Sequence, residues 1–186
     1  MYIKEGLFMA DSHFIRPAEP GDLPSILSIW NEVVDEGGSF PFMEHFSEKQ
    51  LADELSRPDT YNAVCTGASG HILGFYTLHP NIPGRCRTGA NATYLVDVSC
   101  RGQHIGEALV LDSIRMAERL GYRYMIFNGV VDSNIHARHL YARCGFTEIG
   151  VIPKGFQIKD GTYKDMHILY RPLTDYKRKY RMCMSR

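Results

Sequence analysis

A chain of 186 residues with 44% hydrophobic and 23% charged side chains has the composition of a folded globular protein rather than a disordered one. Lysine plus arginine equal aspartate plus glutamate at 21 each, which argues against a general pull toward nucleic acid or an anionic membrane. No apolar run approaches the roughly 20 residues of a membrane span, and the first residues lack the apolar core of a signal peptide. The five scattered cysteines include no Cys-x-x-Cys pair, so they read as reduced thiols of a cytoplasmic protein rather than as a disulfide frame or a zinc site.

In chain order, residues 1–11 read as a leader and Phe14 to Pro17 as a first strand stopped by proline. Asp22 is placed to cap a helix whose apolar face is Leu23, Ile26, Leu27, Trp30, Val33 and Val34 and whose end is Gly37-Gly38. Ser39-Phe-Pro-Phe-Met is a loop with aromatic side chains, and Ser47-Glu-Lys-Gln50 is a capping box opening a short helix to about Leu55. Tyr61 to Thr66 and Ile72 to Leu78 form a hairpin around Gly67-Ala-Ser-Gly70, followed by a loop from His79 to Thr88. A strand from Asn91 to Val98 then leads through a glycine-bearing loop, Arg101 to Gly106, into a helix carrying Leu109, Val110, Ile114, Ala117 and Leu120. Gly121 stops that helix, and Tyr124 to Val130 is the next strand, which implies a parallel pair. A helix from Ile135 to Cys144 and strands at Phe146 to Val151 and Tyr163 to Tyr170 complete the core. The sum is one domain over residues 12–172, a mixed α/β fold with an antiparallel N-terminal half and parallel central strands. The tail from residue 173 onward contains Tyr176-Lys-Arg-Lys-Tyr-Arg181, a basic stretch read as a solvated end before an RNA, acidic-partner or subunit contact.

The chemistry concentrates where the central strand meets the loop. A loop feeding a helix N-terminus presents unpaired N–H groups at the positive end of the helix dipole, which suits an anion such as phosphate. Gly102 and Gly106 allow a sharp turn and close approach, and Arg101 adds positive charge. On spacing alone the segment is equally an ordinary strand-to-helix turn. No Gly-Lys-Ser/Thr closes it as a Walker loop, and the dinucleotide glycines are missing.

Arg101-Gly-Gln-His-Ile-Gly106 resembles the acetyl-CoA loop of the GCN5-related N-acetyltransferases, the GNAT superfamily. It departs from that pattern at His104, where a glycine is usual. A second block, Asn134-Ile-His-Ala-Arg-His-Leu-Tyr-Ala-Arg-Cys-Gly-Phe146, resembles the superfamily's helix-to-strand segment. The segments Leu73 to Cys86, Asn91 to Val96 and Leu120 to Asn128, with Glu36-Gly-Gly-Ser-Phe-Pro41, are similar to the fungal N-acetyltransferases of proline analogues such as azetidine-2-carboxylate, over about residues 30–155. The resemblance implies the GNAT fold with a sheet that splays at its central strands. It implies acetyl-CoA bound by Val96, Val98, Arg101, Gly102, Gln103, His104, Ile105, Gly106, Glu107 and Asn134, with the diphosphate on the N–H groups of Gln103 to Glu107.

By the same resemblance Asn91 and Asn128 contact the acceptor, Asn134 is catalytic, Phe40 and Phe42 wall the acceptor pocket, and Tyr141 protonates the departing sulfur. The fungal relatives carry tryptophan at that last position, which moves weight onto Asn134. Each of these has a plainer reading. Asn91 is a turn residue before a strand, Asn134 a helix cap and Tyr141 a core tyrosine. Asn128 is the hardest to dismiss, because an amide inside an apolar strand needs a partner. Asp97 and Glu36 are both placed to serve as a base. Cys100 beside the loop is a small core residue before it is a reactive thiol. His136 and His139 lack a third ligand, so no metal is expected. The expected acceptor is a small-molecule amine, most naturally an amino or imino acid, with no nucleic acid or membrane partner and room for a homodimer. Two other classes stay open: an N-acetyltransferase for an aminoglycoside, polyamine or protein N-terminus, and a non-catalytic acetyl-CoA-binding module.

Overall fold

The computed structural model describes residues 13–173; the leader and the basic tail assigned from sequence lie outside the described residues, apart from Leu173. The elements are β1 (Phe14–Pro17), α1 (Leu23–Glu36), α2 (Glu48–Leu55), β2 (Tyr61–Thr66), β3 (Ile72–Pro80), β4 (Gly89–Val96), α3 (Ile105–Arg119), β5 (Tyr124–Val131), α4 (Ile135–Arg143), β6 (Thr147–Gln157) and β7 (Tyr163–Pro172). They build a seven-stranded sheet in the order β1-β2-β3-β4-β5-β7-β6, antiparallel except where β4 meets β5.

Strand alternation sends side chains to opposite faces of this sheet, and each face carries its own core. Val64, Phe75 and Leu95 face α1 and α2, where Trp30 packs edge-on to Phe40 and stacks on Phe46. Tyr76, Leu78 and Met125 face the other way and pack with Leu109, Val110 and Ile114 of α3. The predicted face of α1 is buried as expected at Ile26, Trp30, Val33 and Val34, and Ile29 joins it. Leu120 is exposed at the C-terminus of α3 instead of extending that helix's apolar stripe.

Three local expectations are corrected. The Asp22 side chain does not cap α1; it accepts from the Glu19 N–H and from both arms of Arg16, closing a 3-10 turn that precedes the helix. β4 begins at Gly89 and ends at Val96, because Val98 lies in a 3-10 turn that Asp97 caps through the Ser99 N–H. β6 runs well past Val151. Pro153 and Gly155 look like loop formers, but an edge strand tolerates proline at a bulge. The register slips between Ile152 and Phe156, and Lys154, at a φ of 52°, gives its N–H to Asp165.

The tip of the β6–β7 hairpin docks on the end of α1. The Lys159 N–H bonds to the Gly37 carbonyl at 3.0 Å, and its ammonium donates to the Asp35 carbonyl at 2.6 Å. Gly37 sits at a φ of 60°, and a Cβ there would lie 2.7 Å from the Lys159 Cβ, so this junction needs glycine. The docking fixes residues 38–41 as one wall of a cleft.

Candidate active site

β4 keeps β3 beside it from Gly74 opposite Val96 to Pro80 opposite Ala90. On its other edge it pairs with β5 only at Gly89 with Tyr124 and Ala90 with Met125, and then the strands part. The Gly89 carbonyl accepts from the Asn81 N–H on the β3 side, and the Thr88 carbonyl accepts from the Arg123 N–H on the β5 side. Main-chain groups alternate along a strand, so Ala92, Tyr94 and Val96 direct their N–H groups into the gap that β5 leaves. A cleft of about 800 Å³ occupies that gap, lined on its β4 side by residues from Asn91 to Val96. The Asn91 side chain accepts from the Ala92 N–H at 2.8 Å, and the Tyr94 and Val96 N–H groups, left without a β5 partner, offer donors to a ligand in the cleft.

Beyond β4 the chain turns through the capped 3-10 turn into the glycine loop. Gly102 has a φ of 79° with open space where a Cβ would stand. His104 takes the position that a glycine usually fills and adopts φ 62°, a left-handed conformation that histidine tolerates better than most residues. Its ring points out of the loop, with Nδ1 3.3 Å from the Glu107 carboxylate, so the departure from glycine leaves the main-chain geometry intact. That contact, with Arg143 behind it, holds the Glu107 carboxyl below its usual range. The first helical bond runs from the Ala108 N–H to the His104 carbonyl. The amides before it are those that a helix N-terminus leaves for an anion. A Cβ at Gly106 would meet the Leu140 and Val96 side chains no closer than 3.6 Å.

Three residues predicted for this loop stand elsewhere. Val98 is outside β4 and exposed. The Ile105 side chain is buried in the core beneath α3, leaving its N–H as what it can offer. Arg101 turns to the cleft and grips Glu36 at 2.6 and 2.8 Å, tying the loop to the end of α1. Cys100 is a buried core residue.

The rest of the cleft is lined by asparagines and aromatic side chains. Asn91, Asn128 and Asn134 all line the cleft, as do Tyr141 and Phe40. Phe42 does not; it packs behind Phe40 against Trp30. Asn128 escapes its apolar strand at a bulge, where β5 slips register against β7 between Phe127 and Val130. A bulge beside a site re-aims a side chain, and this one leaves Asn128 exposed with its amide on Asn81 at 2.5 Å. Asn134 does cap α4, accepting from the Ala137 N–H at 3.2 Å, and its amide nitrogen remains for the cleft. The Tyr141 ring is wedged between Phe127, at 4.6 Å, and Tyr94, at 6.2 Å. Burial, with Cys144 nearby, holds its hydroxyl well above the ordinary tyrosine range. Asp97 is not in the cleft. The Ser99 side chain and N–H lower its carboxyl pKa, with His71 adding to that, and the group serves as a turn cap. Glu36 is then the one carboxylate among the described residues lining the cleft. His136 lines it too, but no cluster of three metal-ligating side chains exists among the described residues.

Phe156 and Met166 also line the cleft and were not foreseen. Phe156 lies at the end of the β6 bulge, whose signal in the sequence is Pro153-Lys-Gly155, and Met166 comes from β7 beside it. Asn81 was passed over as part of a loop.

The sequence profile of the Acetyltransferase (GNAT) family matches residues 25–146. The N-acetyltransferase aca1 of Schizosaccharomyces pombe is 35% identical over 88 residues, which cover 47% of this chain and 42% of aca1, so the chain spans less than half of that relative. YwnH of Bacillus subtilis, provisionally named a phosphinothricin acetyltransferase, is 32% identical over 167 residues, covering 86% of this chain and 99% of YwnH. The structure of a GCN5-related N-acetyltransferase from Kribbella flavida superposes with a TM-score of 0.82 at 33% identity, over 87% of this chain and 98% of that one.

Proposed function

The chain belongs to the acetyltransferase (GNAT) family, and from that premise we propose that it is an acetyl-CoA-dependent N-acetyltransferase whose acceptor is the amine of a small amino or imino acid. The observation that carries this reading is the single cleft in which Asn91, Asn128, Asn134 and Tyr141 meet beside the unpaired edge of β4. YwnH supports a small-molecule acceptor, since phosphinothricin is itself an amino acid.

The residues present suit acetyl-CoA. The amides from Gln103 to Glu107 would hold the diphosphate, and the Tyr94 and Val96 N–H groups would line the opened strand edge. When bound, the coenzyme supplies an acetyl group activated as a thioester. Donors fixed on a strand need no reorganisation, which is the requirement for stabilising negative charge that develops on a carbonyl oxygen. Asn91 and Asn128 orient the acceptor between the Phe40 and Phe156 walls, and positioning of this kind contributes much of a transfer enzyme's rate. Glu36 takes the proton that the amine must lose, directly or through a water. Tyr141 faces the split as a proton donor, and its raised pKa keeps it protonated at neutral pH. The free thiols Cys65, Cys86, Cys100 and Cys144 suit a cytoplasmic setting.

The test is acetyl-CoA titration followed by thiol release against a panel of amines. Turnover of proline and azetidine-2-carboxylate well above polyamines, aminoglycosides and peptides is the expected result. Preference for any of those others reassigns the acceptor. Binding of acetyl-CoA with no turnover makes the protein a binding module.

A further inference from the structure

We infer that Asn81 is a positioning residue that sets which way the Asn128 amide faces. This deepens the proposed function, because Asn128 is one of the residues placed there against the acceptor amine. Asn81 does not line the cleft; it follows the last residue of β3, and its N–H is tied to the Gly89 carbonyl at 2.8 Å.

The two ends of an asparagine amide differ in chemistry but hardly in shape, so only its partners decide its orientation. Here the partners form a chain that begins at a group with no choice. The Ala92 N–H, left without a β5 neighbour where the strands part, can only donate, and it lies 2.8 Å from the Asn91 side chain. That end of Asn91 is therefore its oxygen, and its nitrogen faces Asn81 at 3.3 Å. Asn81 must then present oxygen to Asn91. The same oxygen receives Asn128 at 2.5 Å, so Asn128 must present nitrogen to it. What remains for the cleft is the Asn128 carbonyl oxygen.

A carbonyl oxygen is an acceptor, matched to the N–H of an incoming amine. A deprotonated secondary amine of an imino acid has one N–H, and engaging it turns the nitrogen lone pair away from Asn128. With Asn81 absent, Asn128 loses the partner that distinguishes its two ends. The flipped orientation, no longer held off, would offer an N–H to the nucleophile's lone pair, which blocks attack. Asn81 thus transmits a choice made by one backbone N–H on β4 to a side chain on β5.

Two readouts test this, one independent of turnover. In ¹⁵N-labelled free protein, Asn81→Ala is expected to shift the side-chain NH₂ signals of both Asn91 and Asn128, while Asn81→Asp, which keeps the accepting oxygen, leaves them near their wild-type positions. In the amine assay Asn81→Ala is expected to lower acceptor kcat/KM by about tenfold, the scale of one lost hydrogen bond, with acetyl-CoA affinity and Tm unchanged. Asn81→Asp should restore most of it. Unmoved Asn128 signals in Asn81→Ala overturn the inference, as does an Asn81→Asp variant as impaired as the alanine. Parallel loss of acetyl-CoA affinity and Tm would also overturn it, as a general structural role. If the wild type fails to acetylate imino acids, the proposed function falls and the NMR comparison still decides Asn81.

Discussion

One strand, β4, shows two different edges. Along β3 it is paired from end to end, with Phe75 and Leu95 on one face and Tyr76 on the other sealed into the two cores. Along β5 it is paired at its base and then abandoned. The closed edge spends its main-chain groups on stability. The open edge leaves them for chemistry, and the β5 bulge at Asn128 and the β6 bulge at Phe156 meet the split there. Unsatisfied backbone is expensive, so a fold tolerates it where a ligand makes up the difference. The two edges should therefore fail in different ways when changed: one in folding, the other in turnover.

The largest effect is expected on the open edge. Asn128→Ala should lower acceptor kcat/KM by about a hundredfold, near 2.7 kcal/mol, because it removes both the orienting contact and its polarity. Acetyl-CoA affinity, measured by calorimetry, should hold. Equal loss of both would put Asn128 in a structural role. The matching change on the closed edge is Gly74→Ala. A Cβ there would lie 2.7 Å from the Leu95 carbonyl oxygen and 3.2 Å from Leu109, contacts that the backbone has to yield to. Thermal or denaturant unfolding should show a loss of about 1–3 kcal/mol, with KM for both substrates near wild type in the folded fraction. A stable Gly74→Ala with altered kinetics would dissolve the distinction between the edges.

The same contrast governs what could be read before the structure. Elements on the closed side announce themselves through periodicity and caps: the α1 face through Trp30, the Ser47 capping box, and the hairpin of β2 and β3. The glycine loop and α3 were legible too, because a helix start and its anion-binding amides follow from local sequence. What stayed hidden depends on departures from regularity. The bulge at Asn128 and Gly129 is a register slip against β7, a strand almost forty residues away in sequence, and no local pattern encodes it. Arg101 was expected to serve the phosphate loop, but its partner Glu36 arrives from α1 across the cleft. Asn81 looked like a loop residue because its two partners lie on different strands. His104 shows the reverse case. The residue type looked wrong for the loop, yet only its side chain departs from the pattern, and the backbone conformation that matters is kept.

A smaller effect is expected for Tyr141→Phe, which keeps the ring packing against Phe127 and Tyr94 and removes the hydroxyl at the split. Transfer should slow by at least about tenfold, with little change in stability. Burial raises the Tyr141 pKa, so its acid form persists through the range in which an exposed tyrosine, near pH 10, would ionise. The ratio of wild-type to variant rate should therefore stay flat from about pH 7 to about pH 11, across the ordinary tyrosine range. An alkaline decline inside that window, present in wild type and absent in the variant, would show that the pocket is wetter than the packing implies. Unchanged rates would remove Tyr141 from the mechanism.

The smallest effect probes where the two edges meet, at Asp97, directly after β4. Its N–H bonds back to Leu73 on the closed side, and its carboxylate caps the turn that leads to the open side's loop. Asp97→Asn keeps a capping oxygen but loses charge, so the cost should be at most about 1 kcal/mol. The folded-state pKa is lowered, chiefly by the Ser99 side chain. Its stabilisation is therefore complete above the ordinary aspartate range, near pH 4, and is lost as pH falls through the lower folded value. The stability difference between wild type and Asp97→Asn should be full at pH 7 and vanish in acid, as urea unfolding at several pH values would show. At pH 7 the turnover of Asp97→Asn should stay within about twofold, since Asp97 is the turn's cap and Glu36 the cleft's carboxylate. A collapse of kcat in Asp97→Asn, with Glu36→Gln unaffected, would exchange those two roles and carry catalysis onto the edge assigned here to stability.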